Sequence, residues 1–387
     1  MFKVLTLNNI SVAGLERLPR DQYEIASELP KPDAILLRSF KMHDYEIPST
    51  LKAIGRAGAG VNNIPVDRMS ERGVVVFNAP GANANAVKEL VLTGMLLAAR
   101  NVCPAWDYVR GLSGDDAQLN SQVETGKKQF VGFELPGRTL GVIGLGAIGV
   151  QVANVALSMG MRVIGYDPDI TVHRAWQLSS QVTQAASVGD LLAQSDFVTL
   201  HVPLVDATRG LLDERRIELM RDGATLLNFS RDGIADESAL LSALDAGKLH
   251  AYVCDFPTAK FQGHSKMIAL PHIGASTVEA EDNCARMVAD QIKDYLEDGN
   301  ICNSVNFPEV QMPRSEGYRL AIVNANVRNM LGQISTALAD GDLNIVDMLN
   351  KSRGDLAYTL CDVDAPVTAE VVGALAAIQG VMSVRTL

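Results

Sequence analysis

The chain has 387 residues, enough for two or three domains of ordinary size. Apolar residues make up 47 % of it and charged residues 20 %, the balance of a globular protein, and no apolar run approaches the ~20 residues that cross a bilayer. A net charge of −11 argues against a nucleic acid or an anionic membrane as the main partner.

The opening stretch, Met1-Phe-Lys-Val-Leu-Thr-Leu7, reads as a strand and lacks the long apolar core of a secretory signal. Further strands are predicted at Asp33–Arg38, Lys52–Ala57 and Val74–Asn78, each stopped by Gly, Asn or a polar turn. Strands alternating with helical stretches predict a parallel sheet covered on both faces. From Ala84 to about Arg110 the period turns helical, with Val87, Leu90, Val91, Gly94 and Leu97 on one stripe. A second α/β series has strands beginning at Thr139, Arg162, Phe197, Ala224, Ala251 and Met267. A helix from about Thr277 to Asp298 then returns the chain to the first domain. Phe307–Ser315, with two prolines and no period, reads as a linker. Beyond it come strand Arg319–Asn324, helix Met330–Ala339, strands Asn344–Lys351 and Ala357–Val363, helix Ala369–Ile378 and strand Val381–Thr386, a βαββαβ order. The predicted fold class is α/β: two doubly wound parallel-sheet domains and a ferredoxin-like terminal module. The predicted bounds are 1–99 with 285–310, 100–284, a linker over 311–317, and 318–387. Five cysteines (Cys103, Cys254, Cys284, Cys302, Cys361) are scattered without a C-x-x-C pair. They predict reduced thiols, a cytoplasmic setting and no cysteine-based metal site.

The strongest motif is Thr139-Leu-Gly-Val-Ile-Gly144-Leu-Gly146-Ala147-Ile148-Gly149. It leaves an apolar strand and enters a helix predicted over Val150–Met159. The next strand ends at Asp167, about twenty residues past the glycines, the spacing of a dinucleotide fingerprint. Gly144 permits the turn, Gly146 lets a pyrophosphate approach the backbone, and Gly149 lets helix and strand pack closely. Asp167 can accept both ribose hydroxyls and would repel a 2′-phosphate, which points to NAD; a capping role for Asp167 is the bland alternative. A second constellation follows later strands: Asn228-Phe229-Ser230-Arg231, then Asp255, then Pro271-His272-Ile-Gly274-Ala275. In a doubly wound sheet such strand ends line the ligand crevice. Arg231 can grip a carboxylate through two hydrogen bonds and His272 can move a proton near neutral pH. Each also reads, by itself, as a surface ion pair or a satisfied loop residue. His201, in Leu200-His201-Val202-Pro203, reads as structural or as lining the cofactor.

These residues, in this order, resemble the D-isomer-specific 2-hydroxyacid dehydrogenases over essentially the whole chain. The resemblance implies an NAD enzyme that oxidises the C2 hydroxyl of a phosphorylated 2-hydroxy acid, 3-phosphoglycerate at the head of serine synthesis. It gives Arg231 the substrate carboxylate and keto oxygen, and His272 the proton. It places the cofactor against Gly144, Gly146, Ala147, Ile148, Gly149, Asp167, His201, Val202, Pro203, Phe229, Ser230, Arg231, Asp255, His272, Gly274 and Ala275. The first domain becomes the substrate domain. Arg38, Ser39 and Lys41 form its phosphate-side loop; Arg56, Gly58, Ala59, Gly60 and Val61 form its carboxylate loop; Lys88 is a further source of positive charge. The terminal module resembles ACT domains, which bind a small amino acid at a dimer interface. This implies a homodimer or homotetramer, with Asn324, Asn326 and Asn344 as candidate ligands of an L-serine effector. Val327-Arg328-Asn329 stands where those domains carry Pro-Gly.

One departure bears on chemistry. The family places a glutamate about five residues beyond the aspartate matched by Asp255, where it charges the histidine. Here Lys260 stands there when counted from Asp255, and Ala259 when matched on Phe256-Pro-Thr. Glu279 or Glu281 could supply the charge instead. A non-catalytic NAD-binding sensor and a dehydrogenase for an unphosphorylated 2-hydroxy acid are the competing readings.

Overall fold

The computed structural model describes residues 1–315 and 317–387. They divide into two compact units, Met1–Asn83 with Val278–Leu387, and Ala84–Thr277. The first unit opens with β1 (Phe2–Leu7), β2 (Tyr23–Ala26), β3 (Ala34–Leu37), β4 (Ala53–Arg56) and β5 (Val75–Phe77), a parallel sheet in the order β2-β1-β3-β4-β5. The second unit holds β6 (Thr139–Ile143), β7 (Arg162–Tyr166), β8 (Thr183–Gln184), β9 (Phe197–Leu200), β10 (Ala224–Asn228), β11 (Leu249–Cys254) and β12 (Met267–Ala269). Their order is β12-β11-β10-β9-β6-β7-β8, all parallel, so the winding reverses between β6 and β9. Dinucleotides bind at such a reversal, beyond the strands' carboxyl ends.

Two predicted boundaries shift, and packing explains both. Helix Ala84–Ala99 belongs to the second unit, because Val87, Val91, Met95 and Ala98 are buried with Leu140, Val142, Phe229 and Val253. Helix Val278–Glu297 lies wholly in the first. Its buried Cys284, Val288, Ile292 and Leu296, four residues apart, share a core with Val4, Leu36 and Phe77. The predicted helix through Arg110 is two helices, broken where Asn101 turns left-handed (φ 49°). The sequence reading also passed over β2, β8 and the helix Asp116–Gly126. The first two are four and two residues long, too short to show a period. The helix did carry a signal, the Asp115–Gln118 capping box.

The terminal module has β13 (Tyr318–Ala325), β14 (Ile345–Arg353), β15 (Leu356–Val363) and β16 (Val381–Thr386), antiparallel in the order β14-β15-β13-β16. That is the predicted ferredoxin-like arrangement. Side chains alternate along its strands. Leu320, Ile322, Cys361 and Val363 pack with Ile334, Leu338 and Leu375 of its two helices. Ala321, Val323, Tyr358 and Leu360 pack on the other side with Tyr295, Leu296, Phe307 and Met312. The module is therefore a layer of the first unit. At its described residues the predicted linker is packed chain: Val310 and Met312 are buried, and Ile301 and Val310 exchange backbone hydrogen bonds. Glu316, also in that predicted linker, lies outside the described residues.

One buried ion pair fastens this layer. The side chains of Arg319 and Asp362 are 0 % and 1 % exposed. Arg319 Nε and Nη2 donate to the two Asp362 oxygens at 2.6 and 2.8 Å, and the guanidinium also donates to the carbonyls of Asp298, Met312 and Pro313. Burial alone would raise the Asp362 carboxyl, but Arg319 and the Ser315 hydroxyl and N–H outweigh it and hold the carboxyl below its ordinary range.

Candidate active site

In the second unit, the turn after β6 has the geometry its glycines predict. Gly144 sits at φ 92°, and a Cβ on Gly149 would lie 1.9 Å from the Gly144 carbonyl oxygen, so neither position tolerates a side chain. A Cβ on Gly146 would meet nothing within 4 Å, leaving room there for a pyrophosphate. Gly146 caps a helix that begins at Ala147 rather than at Val150, so the free N–H groups of its first turn belong to the loop itself. Asp167 stands just past β7, held by the Leu145 N–H at 2.8 Å and the Asp169 N–H at 3.0 Å. These bonds fix one acid beside the glycine loop, and another acid, Asp169, follows it.

The ends of β9 to β12 carry the other predicted residues. Burial pushes the His201 imidazole down to about 3, so it stays neutral and shares a hydrogen bond of 2.9 Å with Thr199 Oγ1. Val202 is half-buried and Pro203 exposed beside it. Asn228, 1 % exposed at the end of β10, accepts the Ser230 N–H and donates to the Arg231 carbonyl at 2.8 Å. Ser230 Oγ bonds the Leu200 carbonyl. The turn that presents Arg231 is thus fixed by side chains of Asn228 and Ser230, with Phe229 buried beneath.

Asp255 follows β11 and is 2 % exposed. Burial raises its carboxyl, opposed by the charges of His272 and Arg231 and by the Gly274 N–H. Its Oδ1 is buried without a hydrogen-bond partner. An orphaned acceptor of this kind, beyond the strand ends of such a sheet, fits the amide N–H of a nicotinamide. His272 lies past β12 on a left-handed turn (φ 49°), its ring exposed and packed at a tilt of 52° against Phe256 with centroids 4.7 Å apart. Gly274 is buried and Ala275 half-buried just beyond. Lys260 pairs with Glu237 at 3.4 Å and reaches Ser238. Ala259 lines a cavity of about 930 Å³ with Asn101, His250 and Phe261, which includes neither Arg231 nor His272. Lys260 is engaged by Glu237 and Ser238 and Ala259 carries no charge, so neither supplies the family's carboxylate; among the described residues of this unit, Asp255 interacts electrostatically with His272. Lys88 stands on helix Ala84–Ala99 of this unit and bonds Asn85.

In the first unit, the predicted loops follow the carboxyl ends of β3 and β4. The Arg38 carbonyl accepts from Arg56 Nε at 3.1 Å and Asn63 Nδ2 at 3.1 Å, while Ser39 and Lys41 are exposed. The Arg56 guanidinium lies close over Gly58: a Cβ there would come 2.1 Å from its Nη1, the movable end of the side chain. The carbonyls of Gly58 and Ala59 are bound by the Ala79 N–H and Asn78 Nδ2, which ties the Gly58–Val61 loop by its acceptor side. Glu281 pairs with the Arg38 guanidinium. In the terminal module, a cavity of about 190 Å³ is lined by Asn324, Asn326, Asn329 and Asn350. Asn344 is not among its lining residues: the register sets Asn350 opposite Thr359, and Asn344 lies six positions away, about 20 Å along an extended chain.

The chain resembles known proteins along most of its length. The profile of the D-isomer specific 2-hydroxyacid dehydrogenase NAD-binding domain matches residues 93–274. A D-3-phosphoglycerate dehydrogenase of Methanocaldococcus jannaschii is 35 % identical over 88 % of this chain and 63 % of its own. One of Escherichia coli K12 is 33 % identical over 87 % of this chain and 82 % of its own. The chain thus spans less than two thirds of the length of the first of these. The NAD⁺-bound 3-phosphoglycerate dehydrogenase of Entamoeba histolytica superposes with a TM-score of 0.62 at 25 % identity, covering 79 % of this chain and 98 % of that one.

Proposed function

The chain belongs to the D-isomer specific 2-hydroxyacid dehydrogenases, and from that premise we propose that it oxidises 3-phosphoglycerate at C2 with NAD, the entry reaction of serine synthesis. The observation that carries this is the placement of Arg231, Asp255 and His272 after three successive strands of an NAD-type sheet. NAD would supply the acceptor for the C2 hydride. Gly146, Asp167 and the orphaned Asp255 oxygen would hold its pyrophosphate, ribose and amide. Arg231, fixed by Asn228 and Ser230, grips the carboxylate and the forming carbonyl with two parallel N–H donors. His272, exposed at its edge and braced on Phe256, takes the C2 hydroxyl proton. Asp255 stabilises the resulting imidazolium, the task the family gives to a glutamate. Arg38, Ser39 and Lys41 would meet the phosphate, and the Gly58–Val61 loop with Arg56 the carboxylate.

A substrate and cofactor panel tests this. Initial rates with NAD should give 3-phosphoglycerate a kcat/KM about 10- to 100-fold above glycerate, the worth of charge-assisted hydrogen bonds to one anionic group. NADP should serve poorly, because Asp167 and Asp169 repel its 2′-phosphate. Equal rates with and without phosphate would move the reading to an unphosphorylated 2-hydroxy acid.

The terminal cavity would take L-serine, with Asn324, Asn326 and Asn350 facing its carboxylate and ammonium. Millimolar L-serine should then inhibit the wild type and leave Asn326→Ala uninhibited; an unaffected wild type makes the module structural. Free thiols support a cytoplasmic setting. An exposed stripe of Val102, Trp106 and Val109 supports a homodimer or homotetramer, which solution mass decides.

A further inference from the structure

We propose that Glu281 is a specificity-determining residue: it occupies the Arg38 guanidinium until the phosphate of the incoming acid displaces it. The inference rests on the reading of Arg38 as a phosphate contact. Glu281 lies in the first turn of helix Val278–Glu297 and pairs with Arg38, which follows β3. The side chains are 33 % and 45 % exposed, so the pair is wet and opens at little cost. Arg38 does not need Glu281 to hold its place in the chain, because its carbonyl is anchored by Arg56 Nε and Asn63 Nδ2. The charges form one cluster. Burial raises the Cys284 thiol one turn along the helix, while Arg56 and Arg38 lower it and Glu281 raises it. A fixed negative charge here cancels much of the attraction Arg38 offers an anion, and it repels a phosphate directly.

Two consequences follow. An acid without phosphate leaves the ion pair closed and binds without feeling Glu281. A phosphorylated acid must open the pair, so its affinity is set by competition between two anions for one guanidinium. Glu281 thereby limits how tightly phosphate, free or esterified, is held, and favours release of a phosphorylated product.

The test is titration calorimetry of 3-phosphoglycerate and of glycerate into the NADH-saturated protein, with Glu281→Gln made in the wild type and in Arg38→Ala. Glu281→Gln should bind 3-phosphoglycerate about tenfold tighter, as expected for removing one like charge at short range in a wet site. Glycerate should change less than about twofold, and the gain should fall below about threefold when Arg38 is Ala. Weaker phosphoglycerate binding in Glu281→Gln would show that Glu281 positions Arg38, and would overturn the proposal. So would an equal gain for both acids. If the wild type binds 3-phosphoglycerate but never turns it over, the functional reading fails while these affinities still decide the role of Glu281.

Discussion

Replacing His272 with Asn should cut kcat for 3-phosphoglycerate oxidation by about 10²- to 10⁴-fold, the usual worth of a positioned general base, with the NAD dissociation constant changed by less than about threefold. Asn is the informative substitute. His272 adopts φ 49°, a left-handed conformation that Asn tolerates and most residues do not, so the turn before Gly274 survives while the proton acceptor is lost. Asn is also too short to reproduce the tilted ring contact with Phe256, so Phe256→Leu in a histidine-bearing chain gives the cost of lost bracing alone. Stopped-flow measurement of the first turnover separates chemistry from product release. A variant that keeps wild-type turnover would remove His272 from the mechanism. His201 would not then replace it, since burial lowers its pKa to about 3 and leaves that ring too weak a base.

Arg319→Leu should destabilise the protein by about 3–5 kcal/mol, the range for stripping one partner from a buried ion pair. Asp362 would be left charged and buried, and three carbonyls would lose their donors. Arg319→Leu with Asp362→Leu should recover the part due to the stranded carboxylate, because two apolar side chains need no partner, while the three carbonyls stay without their donors. The pH dependence has a definite sign. The native Asp362 carboxyl lies below its ordinary range, so its contribution is present above the unfolded value of about 3.9 and is lost as pH falls through the lower native one. Denaturant titrations at pH 7 and at decreasing acid pH measure both effects. A loss under about 1 kcal/mol, or a double variant no better than the single, would mean that the pair does not fasten the module.

The architecture was largely legible in the sequence because long strands and the Gly144–Gly149 turn leave strong local marks. The order of sheets followed from alternation, and the βαββαβ module from its six segments. What the sequence concealed was packing between distant segments. Phe307, Val310 and Met312 sit among prolines and polar residues, and nothing local showed that they would be buried under Tyr358 and Leu360. The boundary at Ala84 moved for the same reason, since a helix's partner is not written in its period. Of the proposed site, Arg231, Asp255 and His272 are legible from their strand-end positions, whereas Asn228 and Phe256 carry no role in the sequence. Buried Asn beside a strand end was the available signal for the first. Nothing local marked the pairing of Glu281 with Arg38, which joins residues 243 apart in the chain.

Transfer of the C2 hydrogen tests the central claim most directly. With 3-phosphoglycerate carrying deuterium at C2 and unlabelled NAD, the deuterium should appear in NADH in step with product, and both should vanish in Arg231→Lys, whose point charge cannot grip a carboxylate with two parallel donors. A protein that binds NAD yet yields no labelled NADH from this or any other 2-hydroxy acid at any pH would contradict the account and make the chain a cofactor-binding sensor.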